Sequence, residues 1–392
     1  NVAGVTLLAL GNGAPDIFSA ISSITTLKDG DAGLAFGALL GAGIFVTAVT
    51  AGAIAIVKPF TAMSRPLMKD IVFYMFTIFW AFIVMFRQTI TLVDSIGFIV
   101  LYVLYVILTV VSRALYSQAS ARAARRARPG TEAVAGAQDE VTGLKAADIR
   151  FLSAPLNGWS RILNSVHCAI APVFIALAFK GYNWMIPFEG GGGFPIVVIV
   201  LIVGIALGIL VYFTSSDFEP PKYHAAFAFI GFLTAIVWIY TFANEVVNIL
   251  ESVGSIFRIS STILGLTVLA WANSIGDVIA NTVLARQNFP RVAISACFGG
   301  PLFNLLLGVG IPFTIKLLSD GTTEMRIEAS VVQLLLVVSV TASLIVSMVY
   351  LTVMRFKLGR VYGIILIVLY LAFLVVALLA ETGQLPPLID RN

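Results

Sequence analysis

The sequence predicts an all-α polytopic membrane protein, and three observations carry that prediction. Hydrophobic residues make up 59% of the 392 residues and charged residues only 11%, with a mean hydropathy of +1.00, far more apolar than a soluble core requires. Eleven segments are apolar over lengths near the roughly 20 residues that a helix needs to cross a hydrocarbon layer about 30 Å thick. One apolar motif occurs twice, on spans of odd and even number, so its second copy crosses the membrane against the first.

The spans are expected at 2–24, 33–57, 70–86, 96–112, 162–179, 195–213, 225–243, 256–284, 292–315, 330–354 and 361–380. The stretch before Pro15 has no basic n-region and no initiating Met, so it reads as a membrane helix and not a signal peptide, in a chain expected to have lost its natural N-terminus. After the fourth span, 113–161 contains RAARRARPGTEAVAGAQDE, too charged to cross a membrane, and is expected to be a flexible basic loop between two membrane halves. Its basic run reads as topogenic, not as a nucleic-acid site. If alternate loops fall on alternate sides, all Lys and Arg except Lys28, Arg87, Lys180, Arg258, Lys316, Arg326 and Arg391 lie on the side of this loop. So uneven a split supports the span order and places that side in the cytosol or mitochondrial matrix.

The chain thus divides into a first membrane half, 1–112, with its repeat at 4–50, then the loop, an extra helix pair at 162–213, and a second half, 225–381, with its repeat at 265–310. Cys168 and Cys297 both lie in apolar segments and read as packing residues, with no disulfide framework and no CxxC metal cluster. Trp159, Trp184 and Tyr223 near span ends read as interface anchors, and His167 as a polar core residue.

The repeat is direct. GVTLLALGNGAPDIFSA at 4–20 recurs as GLTVLAWANSIGDVIAN at 265–281, matching Gly4 to Gly265, Thr6 to Thr267, Asn12 to Asn273 and Asp16 to Asp277. Downstream, AFGALLGAGIFV at 35–46 falls on AISACFGGPLFN at 293–304, with Gly41 on Gly299 and Phe45 on Phe303. The glycines of these second helices read as sites of close helix packing.

An ionised carboxylate at the bilayer centre costs several kcal/mol, so Asp16 and Asp277 need a partner or a task. A spacing of four puts Asn12 and Asp16 on one helix face, and Asn273, Asp277 and Asn281 on another. Gly11, Gly13 and Pro15 in the first copy, and Gly276 in the second, read as helix breaks whose freed carbonyls add oxygen ligands. Two carboxylates, the side-chain oxygens of Asn12, Asn273, Ser274 and Asn304, and such carbonyls make a hard, oxygen-only site. That site suits Ca2+, whose charge two aspartates balance; neither His167, His224 nor either cysteine lies in the motifs to favour a softer metal. Asn304 has a second reading, an interhelical hydrogen bond. Asn244, Glu245 and Asn248 read as an interfacial helix end, with an access path as the alternative.

ALGNGAPDIFSA and LAWANSIGDVIAN, the latter followed by ARQNFPRVAISACFGGPLFNLLLGVG, resemble the alpha-1 and alpha-2 repeats of the cation/calcium exchanger superfamily. Within its sodium/calcium exchanger family, the N-G-A-P-D string resembles the mitochondrial sodium/calcium(lithium) exchanger branch. The resemblance implies two inverted five-helix halves with discontinuous motif helices, the first helix missing here and an extra pair between the halves. It places Asp16 and Asp277 at the two central acidic ligands, Asn12, Asn273 and Ser274 at polar ligands one turn earlier, and Asn304 at a ligand on the following helix. There are departures: many relatives have Glu where Asp16 and Asp277 stand, potassium-dependent ones have Asp at the place of Asn304, Val46 stands opposite Asn304, and Ala42 and Gly300 replace hydroxyl residues that help bind sodium elsewhere.

The function implied is an antiporter exchanging Ca2+ for Na+ or Li+ by alternating access at this midplane site, with no cofactor beyond the transported ions. Repulsion between two empty carboxylates would hinder reorientation until cations or protons bind, so a Ca2+/H+ antiporter with the same aspartates as proton carriers is the alternative. An acidic channel would lack counter-ion dependence. An intramembrane aspartyl protease also needs two membrane aspartates, and SIGD at 274–277 faintly echoes its motif, but such enzymes do not use two copies of one motif. The resemblance points to the mitochondrial inner membrane, with vacuolar, reticular and plasma membranes as alternatives, the lipid bilayer as surroundings, and a candidate regulatory partner for the 113–161 loop.

Overall fold

A computed structural model describes the backbone of residues 2–25, 32–126, 161–178, 185–187, 193–215, 224–327 and 331–381. Each expected span falls on a helix. The first is α1, Val2–Thr25; α2, Ala32–Ile44, passes through a π-helical turn, Phe45–Thr50, into α3, Ala51–Val57. Then come α4, Ser64–Arg87; α5, Leu92–Arg126; α6, Arg161–Ala178; α7, Ile196–Thr214; and α8, His224–Phe257. The second copy of the motif starts in α9, Ser261–Leu264, passes a π turn at Gly265–Leu269 and continues as α10, Ala270–Arg286. The last helices are α11, Pro290–Asp320; α12, Val331–Val353; and α13, Arg360–Glu381. Among the described residues nine helical segments are long and apolar enough to cross a membrane. Helix is the backbone solution that satisfies every N–H and C=O within the segment, as lipid demands. Local signals set some ends: Pro290 opens α11, where its missing N–H costs nothing, and Gly321 closes it with a left-handed φ of 64°.

Two sequence expectations change here. The start of the 113–161 loop is helical, because α5 runs on to Arg126 through an Ala- and Arg-rich stretch whose residues are strong helix formers despite their charge. Residues 127–160, which include Trp159, lie outside the described residues, as do Trp184 and Tyr223. The breaks expected at Gly11, Gly13, Pro15 and Gly276 are not seen, since α1 and α10 are continuous across them. A proline removes one N–H and a glycine none, and neither loss obliges a helix to end when the rest of its ladder holds. Among the described residues the departures from α geometry are instead two π turns, one in each repeat.

The chain forms two compact units, 139–242 in one and 1–138 with 243–392 in the other. In the smaller unit α6 and α7 pack along each other. Gly204 and Gly208 let the backbones meet: a Cβ at Gly204 would stand 2.5 Å from the Ala169 carbonyl oxygen and one at Gly208 2.8 Å from that of Ser165. Cys168 is buried in this helix pair as a packing residue, and Phe174 stacks on Trp238 with ring centroids 3.8 Å apart.

In the larger unit two short antiparallel ribbons join the first half of the sequence to the second. Phe60–Thr61 pairs with Lys357–Leu358, and Thr89–Thr91 with Glu324–Arg326. The first ribbon gathers Lys58, Arg355, Lys357 and Arg360, all from the basic side of the charge split; Arg291 joins them by donating from Nε to the Thr61 carbonyl at 3.0 Å. The second gathers Arg87 and Arg326 from the other side. The ribbons also exchange under the repeat: the segment after α3 and the α4–α5 turn in the first half answer to the segment after α11 and the α12–α13 turn in the second. An inverted repeat predicts such reciprocal pairing, one ribbon on each membrane face.

Candidate cation site

Helix α1 packs against α11 and α2, and α10 packs against α11, so the two motif copies and their second helices share one core. Close approach depends on Gly13, where a Cβ would overlap the Asn304 amide oxygen and stand 2.7 Å from the Phe303 ring. Three residues along α1, Asp16 is 2% exposed and Asn304 on α11 is 4% exposed. Asn304 Nδ2 donates to Asp16 Oδ2 at 2.5 Å. The expected interhelical hydrogen bond of Asn304 is therefore made, and its partner is the carboxylate itself.

From α10, Asn273 stands beside the same carboxylate and donates from Nδ2 to Ser19 Oγ at 3.3 Å. Asp277 is half-buried and near enough for its charge to act on Asp16. Ser274 and Asn281 on α10 are buried. The side chain of Asn12 lies outside the described residues, as does that of His224. On the second helices, Ala42 and Val46 are buried without polar atoms, and a Cβ added at Gly300 or Gly276 would meet nothing within 4 Å.

Of the motif residues and Asn304, three keep a buried oxygen without a hydrogen-bond partner: Asp16 Oδ1, Asn304 Oδ1 and Ser274 Oγ. Each such orphan costs about 1–3 kcal/mol unless a ligand or water answers it. Carboxylate, amide and hydroxyl oxygens are the donor set a hard cation takes. Among the described residues no group of three or more His, Cys, Asp and Glu gathers to hold a metal, so the oxygens of Asn and Ser must complete any shell.

Sequence reasoning missed several polar contacts. Ser19, one turn beyond Asp16 on the same face, receives Asn273, and its position in the motif was the available signal. Ser22 Oγ donates to Asn244 Oδ1 at 2.9 Å, tying α8 to α1. Asp70, 4% exposed within α4, is another buried acid. It differs from Asp16 in being fully answered: Lys69 Nζ lies 3.3 Å from its Oδ1, Tyr105 Oη donates to Oδ1 at 2.9 Å, and Ser295 Oγ donates to Oδ2 at 3.1 Å. It clamps α4, α5 and α11 together. Cys297 is buried and packs in the core, as expected.

Comparison with known proteins fits this arrangement. The profile of the family described as sodium/calcium exchanger protein matches residues 1–111 and 227–379, skipping the stretch that holds the helix pair α6–α7. The human mitochondrial sodium/calcium exchanger protein is 39% identical over 98% of this chain and 75% of its own length. A putative sodium/calcium exchanger of Caenorhabditis elegans is 30% identical over 96% of this chain and 75% of its own length. Among solved structures, an H+/Ca2+ exchanger shares the fold, with a TM-score of 0.51 at 11% identity over 98% of this chain and 79% of that one. This multi-pass membrane protein belongs to the sodium/calcium exchanger protein family.

Proposed function

We propose that the chain is a secondary active antiporter that carries Ca2+ against Na+ or Li+, with Asp16 and Asp277 as the charged ligands and Asn273, Ser274 and Asn304 supplying neutral oxygens. Asn12 joins them by its place in the motif. The observation that carries this reading is the cluster of buried oxygens without partners at Asp16, Ser274 and Asn304, with Asp277 on the neighbouring copy of the motif. Two aspartates match one divalent ion or two monovalent ones, so the ions compete for one site. An empty site leaves two like charges in low dielectric, which opposes reorientation and couples the fluxes. Reorientation itself is read as one repeat-derived helix group moving against the other. The names of the relatives favour a mitochondrial location; we read the membrane as the inner one, with the basic side in the matrix. Exchanger family membership leaves the intramembrane aspartyl protease without support.

A second reading keeps the site and changes the counter-ion. Ala42, Val46 and Gly300 add no side-chain oxygen, which weakens the case for several sodium ions and favours a proton as the coupled cation. Ca2+ uptake into proteoliposomes loaded with Na+, with Li+ or with an acid interior, at clamped voltage, separates the two. Uptake driven by Na+ or Li+ alone is expected; uptake driven only by the proton gradient would replace sodium with the proton and leave the aspartates in place.

A further inference from the structure

Tyr74 stands on α4 at 0% exposure, one of two fully buried tyrosines among the described residues, and its hydroxyl has no hydrogen-bond partner. Phe would fill the same apolar volume without an unanswered hydroxyl, which costs about 1–3 kcal/mol when buried. Two observations locate that hydroxyl. A Cβ built on Gly43 of α2 would overlap Tyr74 Oη, so the missing side chain at 43 is what admits it. Asp16 lies on α1, which packs against α2, and its Oδ1 is itself buried without a partner. A phenol that can donate and a carboxylate oxygen that can only accept thus share one buried neighbourhood beside α1 and α2.

Resting on the reading of Asp16 as a cation ligand, we propose that Tyr74 is a positioning residue of the cation site: its hydroxyl, admitted by Gly43, orients Asp16 Oδ1 through one bridging water for the incoming ion. The hydroxyl works with Asn304, which already holds Oδ2 of the same carboxylate. With one oxygen fixed from α11 and the other steered from α4, the carboxylate meets the ion preorganised.

The test is initial-rate Ca2+ uptake by the full chain in proteoliposomes, against Ca2+ concentration, for the parent protein, Tyr74→Phe, Gly43→Ala, their double variant and Asp16→Asn, with the Tm of each in detergent. Tyr74→Phe is expected to raise the KM for Ca2+ about tenfold with a maximal rate within about twofold of the parent. Gly43→Ala, which pushes the hydroxyl aside, is expected to give a similar KM shift, and the double variant no larger one than Tyr74→Phe alone. A Tyr74→Phe protein of unchanged KM overturns the proposal, as does one that loses maximal rate and Tm together with KM intact, the pattern of plain packing. Asp16→Asn separates the two levels. If it still transports Ca2+, the reading of the site fails and takes Tyr74 with it; if it is silent while Tyr74→Phe matches the parent, only the role of Tyr74 falls.

Discussion

The two copies of the motif share a sequence pattern but differ in chemistry, and also in backbone, since the first is α-helical throughout and the second begins with the π turn Gly265–Leu269. Asp16 is 2% exposed and held by the Asn304 amide; Asp277 is half-buried, and the residue that answers to Asn304 across the repeat is Val46, buried at 3% with nothing to donate. Gly13 and Ser274 also correspond, so one copy has a bare backbone where the other carries a hydroxyl. Ribbons and helix order keep the twofold relation while the side chains break it. The lesson is that a repeat can keep its helix order and ribbon pairing while its polar side chains diverge. Here the first carboxylate is buried and hydrogen-bonded and the second is more exposed.

The largest expected effect tests what the copies share. Asp16→Asn and Asp277→Asn should each lower Ca2+ transport more than 100-fold, because each leaves a divalent ion with one balancing charge in a site of low dielectric. Uptake by proteins that elute normally from size exclusion is the measurement, and transport retained by either variant would falsify the paired site. The next effect tests what they do not share. Asn304→Ala frees Asp16 Oδ2 and should raise the KM for Ca2+ about tenfold, the scale of one lost hydrogen bond to a charged group. Val46→Ala removes no polar atom and should leave KM within about twofold. Equal effects from the two would mean that the asymmetry has no functional weight.

Much of this was legible in the sequence. Span positions, the repeat and the two aspartates follow from hydropathy and identity at fixed spacing, and the charge split anticipated which loops share a face. What remained hidden has physical reasons. Strands of two or three residues such as Thr89–Thr91 carry no periodicity. The helix through Arg126 is hidden in the sequence because a charged stretch reads as loop, though Ala and Arg favour helix. Gly11, Gly13 and Pro15 suggested a break, while the helix ladder tolerates them; the π turns have no local signature. The bond from Asn304 to Asp16 spans 288 positions, and only packing assigns a donor across that distance. Tyr74 looks like any aromatic in a span until its hydroxyl proves to be buried and unanswered.

Glycines sharpen the comparison at a smaller scale. Gly13→Ala drives a methyl into the Asn304 amide oxygen and the Phe303 ring, and overpacking of this kind costs about 1–3 kcal/mol. A lowered Tm is expected for that variant. Gly276→Ala and Gly300→Ala place their methyls where nothing lies within 4 Å, so their Tm should hold or rise slightly, Ala being the better helix former. A Gly276→Ala protein as unstable as Gly13→Ala would show that the second copy is packed as tightly as the first.

The ribbons give the smallest effect, because the twofold relates them too and they are braced unequally. At Thr89–Thr91 a reciprocal cap forms at the start of α5: Thr91 N donates to Asp94 Oδ2 at 3.1 Å and Asp94 N to Thr91 Oγ1 at 3.2 Å, while the Thr91 hydroxyl donates to Asp94 Oδ2 at 2.8 Å. Arg87 Nη2 adds an ion pair to that carboxylate oxygen at 2.6 Å, though Arg87 is 44% exposed and solvent discounts the pair. Asp94→Ala should therefore cost about 1 kcal/mol, mostly through the cap, and lower Tm by a few degrees. Lys357→Ala in the other ribbon removes an exposed side chain and should leave Tm unchanged. High salt should narrow the Asp94→Ala deficit only slightly, since salt screens the ion pair and spares the cap; a deficit that vanished in salt would assign the brace to Arg87 instead.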